Sequence, residues 1–169
     1  DIKGNGIAKR AAEIGAAGKH NLFMIGSAGS GKTMIAKRIV SIMSELTDEE
    51  YIEVSKIYSS SGLFNDDIIR RTRPFRSPHH TATIKSIIGG GASSSPGEVV
   101  LSHNGVLFLD ELLEFDKKAL EALRQPIEDK KIAISRIKRT NIYPCDFVLV
   151  ACCNPCPCGN YNNPHKECR

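Results

Sequence analysis

Gly26-Ser27-Ala28-Gly29-Ser30-Gly31-Lys32-Thr33 is the stretch on which the reading of this chain turns. It fits G-x-x-x-x-G-K-[ST], a loop that wraps a polyphosphate. Leu22-Phe23-Met24-Ile25 before it is a short apolar run that reads as a buried strand. Met34-Ile35-Ala36-Lys37-Arg38-Ile39-Val40 after it carries apolar residues at helical spacing. Strand, glycine loop and helix in that order turn a pattern into a mechanism. The glycines let the backbone wind tightly, so that successive N–H groups and the helix N-terminus face negative charge. Lys32 is then the cation for the β- and γ-phosphates, and the Thr33 hydroxyl is placed to ligate Mg²⁺. A plain glycine turn would not require Lys-Thr directly after its last glycine. ATP with Mg²⁺ is the expected ligand pair.

The 169 residues are enough for one domain with its own core. The chain begins at Asp1 without a Met and is read as an excised or processed piece of something longer. Apolar residues at 41% and charged ones at 25% are the proportions of a soluble globular protein. The longest apolar runs, residues 106–109 and 147–153, are far too short to span a bilayer, and no signal peptide opens the chain. A cytoplasmic protein without a membrane partner is expected. The net charge of +4 is mild, so nucleic-acid affinity would have to come from a local patch. All six cysteines lie at or after Cys145, which points to a reducing compartment and a local cysteine feature, not a disulfide scaffold.

Along the chain, residues 6–17 predict a helix with Ile7, Ala8, Ala11, Ala12 and Ile14 on its apolar face. The helix after the glycine loop is expected to reach about Met43. Thr47-Asp48-Glu49-Glu50 is a capping box that starts another, carrying Tyr51, Ile52, Val54 and Ile57. Residues 66–73 read as a short helix or an approach to a strand. Arg73-Pro74-Phe75-Arg76-Ser77-Pro78-His79-His80 is extended. Residues 83–88 and 98–102 read as short helical pieces, with a flexible loop over residues 89–97. Val106-Leu107-Phe108-Leu109 is a strand buried on both faces. An amphipathic helix over residues 115–127 ends near Pro126. Residues 132–137 and 141–144 form two arms of a hairpin, and residues 147–152 a further buried strand. Strands alternating with helices argue for a doubly wound α/β sheet.

Val106-Leu107-Phe108-Leu109-Asp110-Glu111 ends an apolar strand in Asp-Glu, the Walker B form. That strand is expected beside the phosphate loop, with its C-terminal end at the phosphates. Asp110 would hold Mg²⁺ through water, and Glu111 would orient and deprotonate the attacking water. Asn154 follows the next buried strand, where its amide could bond both the attacking water and the γ-phosphate, a sensor role. The alternative is that Asn154-Pro155 only turns the chain. His79 and His80 lack metal-pair spacing and are read as insert or interface residues. Cys145, Cys152 and Cys153 read as buried small apolar residues.

Together with Asp1-Ile2-Lys3-Gly4, the segment from Arg73 to Thr81, Pro96-Gly97-Glu98, His103-Asn104-Gly105 and Asn154-Pro155-Cys156-Pro157-Cys158-Gly159, these elements resemble the AAA+ module of the Mg-chelatase-like ComM/YifB family. The match covers nearly the whole chain. The resemblance implies a P-loop NTPase fold of the AAA+ type, three layers αβα around a mainly parallel sheet, with a helix-2 insert and a pre-sensor-1 hairpin. It implies that residues 1–169 are an ATPase core truncated before the arginine finger and the helical lid. This piece alone is therefore expected to bind nucleotide weakly and hydrolyse it poorly. It further implies self-association into a hexameric ring acting on DNA, in branch migration and natural transformation. Two other loads stay open: a partner protein that inserts metal into a tetrapyrrole, or none at all in a nucleotide-dependent scaffold. Ser27-Ala28 replaces prolines usual in the family's loop, and Cys152-Cys153 stands where small residues or Met are common.

The predicted hairpin lies where related motors carry one that projects into the ring pore. Its basic residues Lys130, Lys131, Arg136, Lys138 and Arg139 could track phosphates, with Lys138 and Arg139 at the tip as the candidate DNA contacts. An ordinary solvated hairpin is the alternative. Cys156, Cys158 and Cys168, with His165, resemble part of a zinc knuckle; a structural zinc wants four ligands, and reduced thiols in a polar turn explain the pattern equally.

Overall fold

The structure, a computed structural model, describes residues 4–65, 68, 70–90, 95–136, 139–156, 161 and 168. In chain order these form α1 (Gly6–Gly18), β1 (Leu22–Ile25), α2 (Lys32–Ile39), α3 (Asp48–Ser60), β2 (Phe75–Arg76), α4 (Ile84–Ile88), β3 (Gly89–Gly90) and β4 (Ser95–Pro96). Then follow α5 (Glu98–Leu101), β5 (Val106–Leu109), α6 (Lys117–Ala122), α7 (Arg124–Asp129), β6 (Lys131–Arg136), β7 (Arg139–Pro144) and β8 (Val148–Cys153).

The central sheet has the order β1-β8-β5-β2 and is parallel throughout. Alternate residues of β5 and β8 enter two separate cores, which explains their unbroken apolar character. Val106, Phe108, Val148, Val150 and Cys152 pack with α1 and α2 through Ala12, Ala16, Ile35, Ala36 and Ile39. Leu107, Leu109 and Ala151 pack on the other face with Val54, Ile57, Tyr58, Ile87 and Val99. The result is the three-layer αβα arrangement of a P-loop NTPase.

In sheet order β8 lies between β1 and the strand ending in Asp110-Glu111, yet that strand still reaches the phosphate loop, where Thr33 bonds Asp110. In register, Ile25 pairs with Cys153 and Leu109 with Ala151, so all three strands end at one carboxyl edge. One expectation is corrected: β1 is not buried but an edge strand with Met24 inside, and Phe23 and Ile25 exposed.

Several local readings also shift. The inward face of α1 is made by Ala12, Gly15 and Ala16, while Ile7 and Ile14 are exposed. Small residues let α1 lie close to α2, so the larger isoleucines are displaced outward. The helix α2 stops at Ile39 and tightens into a 3₁₀ turn, Val40–Ile42. The stretch expected to be one helix around Leu120 is two, α6 and α7, and Pro126 sits inside α7 instead of ending it. A proline in a first helical turn sacrifices only an N–H that has no intrahelical partner. Gly89–Gly90 is paired antiparallel with Ser95–Pro96, a short ribbon at the place of the helix-2 insert, where a flexible loop was expected.

The hairpin is present as β6 paired with β7, directly ahead of β8. Its alternation holds: Ile132 and Ile134 enter the core while Lys131, Ala133 and Ser135 are exposed. Arg139 is already paired with Arg136, so the turn is narrower than expected; Lys138 lies outside the described residues.

The capping box predicted at Thr47 is complete. The Thr47 hydroxyl accepts from the Glu50 N–H at 3.2 Å and the Glu50 carboxylate accepts from the Thr47 N–H at 3.1 Å. The same carboxylate takes Lys19 at 2.9 Å and the buried Arg73 at 2.7 Å. Burial alone would raise the Glu50 carboxyl; the bonds from Lys19, Arg73 and the Thr47 amide outweigh it and hold the group at about 2.

Candidate functional site

The phosphate loop is built by its glycines. Gly29 and Gly31 hold φ of +75° and +88°, conformations that side chains other than glycine rarely adopt, and Gly31 leads directly into α2 at Lys32. Gly26 is tied to the next strand by its N–H, which donates to the Cys153 carbonyl at 3.3 Å. The loop borders a cavity of about 440 Å³ lined by residues 28–34, Asp110, Glu111, Cys153 and Asn154.

Residues far apart in sequence meet at this cavity. The Lys32 ammonium donates to the Gly26 carbonyl at 2.7 Å, to the Ser27 carbonyl at 2.9 Å and to Asn154 Oδ1 at 3.1 Å. Across the floor, the Thr33 hydroxyl donates to Asp110 Oδ2 at 2.8 Å. Lys32, Thr33, Asp110 and Asn154 thus form one contiguous group over the carboxyl edge of the sheet, with Glu111 on the same cavity.

Two environments set the charge of this group. Burial pushes the Asp110 carboxyl up, but the Cys152 thiol, the Thr33 hydroxyl, the Glu111 N–H and the Lys32 charge together bring it below the ordinary value. Asp110 is therefore an anion at neutral pH. The Cys152 thiol, buried and facing that anion at 2.8 Å, is pushed up to about 12 and stays a neutral donor. Glu111 occupies the left-handed region at φ +53°, ψ +50°, uncommon for a residue with a side chain. It is held there by its N–H donating to Asp110 Oδ1 at 3.0 Å and its carbonyl accepting from Glu114. Its side chain is half exposed.

Sequence reasoning missed three residues at this site. His80 Nδ1 lies 3.6 Å from Glu111 Oε2, and its ring packs on His79 and edge-on to Phe115. Cys152, read only as a small apolar residue, donates to Asp110. Asn5 donates from Nδ2 to the Ser30 carbonyl at 2.9 Å. None carries a local spacing signal, since the contacts of His80 with Glu111, Cys152 with Asp110 and Asn5 with Ser30 all close separations of 25 residues or more.

The other candidates gain less. Cys158 lies outside the described residues; Cys156 is half-buried and accepts the Tyr161 N–H, and Cys168 is exposed. Among the described residues there is no group of three or more His, Cys, Asp and Glu that could hold a metal, so zinc is not supported. Lys130 pairs with Asp146 at 3.2 Å. Among the described residues no helix is long and apolar enough to cross a membrane.

A family model described as "Magnesium chelatase, subunit ChlI" matches residues 1–169. An uncharacterized protein YifB of Escherichia coli is 48% identical over 171 residues, covering 99% of this chain and 33% of that protein. The competence protein ComM of Haemophilus influenzae is 47% identical over 170 residues, with the same coverage of 99% and 33%. This chain thus spans about a third of the length of these relatives. Crystal structures of NtrX from Brucella abortus, in complex with ADP and with ATP, align with TM-scores of 0.62 and 0.62 at 17% and 18% identity. They cover 97% and 95% of this chain and 33% of NtrX in each case. At that identity the likeness concerns the fold.

Proposed function

The chain belongs to the magnesium chelatase subunit ChlI family, and on that premise we propose that it is the ATP-binding and ATP-hydrolysing core of a ring-forming motor that remodels DNA. One observation carries the reading. Lys32, Thr33, Asp110 and Asn154, spread over 122 positions of sequence, are joined by hydrogen bonds around one cavity. The NtrX structures hold ADP and ATP on the same fold.

The residues fit a polyphosphate. The Ser30 hydroxyl is buried without a partner among the described residues, on a loop that lines the cavity. The Lys32 ammonium rests on neutral oxygens, with no carboxylate among its hydrogen-bond partners in the described residues. In this reading the backbone of residues 26–31 and Lys32 hold the phosphates, and Thr33 with Asp110 would hold Mg²⁺. Bound there, Mg²⁺ would neutralise charge on the transferred phosphoryl group. Glu111 takes the proton from the attacking water, and Asn154, released from Lys32, holds that water against the γ-phosphate. Hydrolysis ends at ADP and inorganic phosphate.

The competence protein among the relatives and the basic residues of the hairpin support the DNA load, with Lys138 and Arg139 as the proposed phosphate contacts. A family description naming magnesium chelatase favours the second reading, a motor whose client is a partner protein. ATP turnover by the full-length protein, with and without forked DNA, separates the two. Stimulation by DNA, with charge reversal at Lys138 and Arg139 reducing the salt-dependence slope of DNA binding by about two, is the expected result. Turnover and affinity indifferent to DNA and to both reversals would overturn the DNA reading and leave the protein client.

A further inference from the structure

We infer that Asn5 is a positioning residue for the phosphate loop, and that its side-chain amide fixes the direction in which the Gly31 N–H points. The inference rests on the nucleotide reading above. Asn5 is the residue at the start of α1, with φ of +51° and ψ of +45°. Asparagine in that place ordinarily caps the helix through its side-chain oxygen. Here it makes no side-chain cap bond. Its amide nitrogen instead donates to the Ser30 carbonyl at 2.9 Å, 25 residues away.

The consequence follows from peptide geometry. In a planar trans peptide, the carbonyl and the N–H of one unit point in opposite directions. The Ser30–Gly31 peptide is trans, so a Ser30 carbonyl turned to Asn5 turns the Gly31 N–H the other way. The two sides of the loop are different spaces. Asn5 lines a cavity of about 450 Å³ with Ile7 and Ala11 and is absent from the lining of the 440 Å³ cavity that holds Asp110 and Asn154. Ser30 and Lys32 line both, so the loop is the partition between them. Asn5 grips the partition from behind and presents an N–H to the front, where an anion is bound by such donors.

The bond also accounts for the residue type. Asparagine is among the few residues with a side chain that tolerate the left-handed region, and only its amide, not a carboxylate, can donate to a carbonyl. Gly31, whose own carbonyl accepts the Ile35 N–H, is then held through both of the peptide units that flank it before a ligand arrives. The loop is preorganised, and the ordering cost of binding falls.

The test compares the full-length wild-type protein with Asn5→Gly, which accepts the same backbone angles without an amide, and with Asn5→Asp, which keeps the shape and loses the donor. The probe is a fluorescent ADP analogue with Mg²⁺. The Kd is expected to rise about three- to tenfold in Asn5→Gly, as loss of one hydrogen bond implies, and further in Asn5→Asp. Hydrogen exchange without nucleotide should quicken at the amides of residues 29–32 and stay unchanged within α1. An Asn5→Gly protein with wild-type Kd and wild-type loop exchange overturns the inference alone. Faster exchange confined to α1, with the loop unaltered, overturns it as well, because Asn5 would then serve only the helix. A wild-type protein that binds no nucleotide overturns the nucleotide reading and this inference with it.

Discussion

Glu111→Gln is expected to lower ATP hydrolysis by about 10²–10⁴-fold, the range typical for a lost general base, while nucleotide still binds. The amide matches the carboxylate in size and cannot take a proton from water. Glu111 is also the non-glycine residue at the cavity with a left-handed backbone, at φ +53°. A residue held in a sparsely populated conformation near reacting groups is where a fold stores strain for function. The conformation aims the side chain from a strand end that otherwise runs on into the turn, and the Asp110 carboxylate helps hold it by accepting the Glu111 N–H. Steady-state turnover and equilibrium nucleotide binding, measured on the same preparation, check the claim. A Glu111→Gln protein that hydrolyses within tenfold of wild type would remove Glu111 as the base.

Arg73→Met is expected to destabilise the protein by about 3–5 kcal/mol, the cost of removing one partner from a buried ion pair. The Arg73 side chain is 3% exposed. Its guanidinium donates to the carbonyls of Ser44, Glu45 and Asn104 and to the Glu50 carboxylate. It thereby joins the loop before α3, the cap of α3 and the turn into β5. Removal leaves several buried acceptors unpaired at once. A lysine has one compact ammonium in place of the planar fork, so Arg73→Lys should recover little. Thermal unfolding should fall by roughly 10 °C for a domain of this size. A pH dependence goes with it. Glu50 has a folded value of about 2 against an ordinary 4.5, so its contribution is present above about pH 4.5 and is lost as pH falls toward 2. Denaturant titrations of wild type between pH 5 and 2 should show that loss, and Glu50→Gln should flatten it. An Arg73→Met protein as stable as wild type would show that these bonds only break even with water.

Much of the site was legible because its parts are local in sequence. The glycine loop needs its positive-φ glycines, Lys32 and Thr33 within eight residues, and β5 announces itself by four consecutive apolar positions. The capping box at Thr47 is likewise a four-residue device, and it formed as read. Strand order was not legible. Nothing in residues 106–111 says that β8 will lie between β5 and β1; that order is made by long-range pairing, with Val150 of β8 opposite Leu22 of β1 on one side and Phe108 of β5 on the other. Hydrophobic periodicity also misled where small residues decide packing. In α1 it placed Ala12 correctly on the inward face but put Ile7 and Ile14 there too, and these are exposed, while Gly15 and Ala16 are buried beside Ala12. Arg73 and His80 share one extended segment, and sequence alone does not separate their parts. The former is sealed in the structure and ties three segments together, while the latter opens on the cavity beside Glu111. Burial, invisible in the string of residues, makes that distinction.

The most direct test is calorimetric titration of ATP with Mg²⁺ into the wild-type protein and into Lys32→Ala. One site per chain is predicted, weakened about 10–100-fold by Lys32→Ala, the worth of a hydrogen bond to a charged group. No binding to wild type, or binding that ignores the loss of the Lys32 ammonium, would contradict a nucleotide site at this loop.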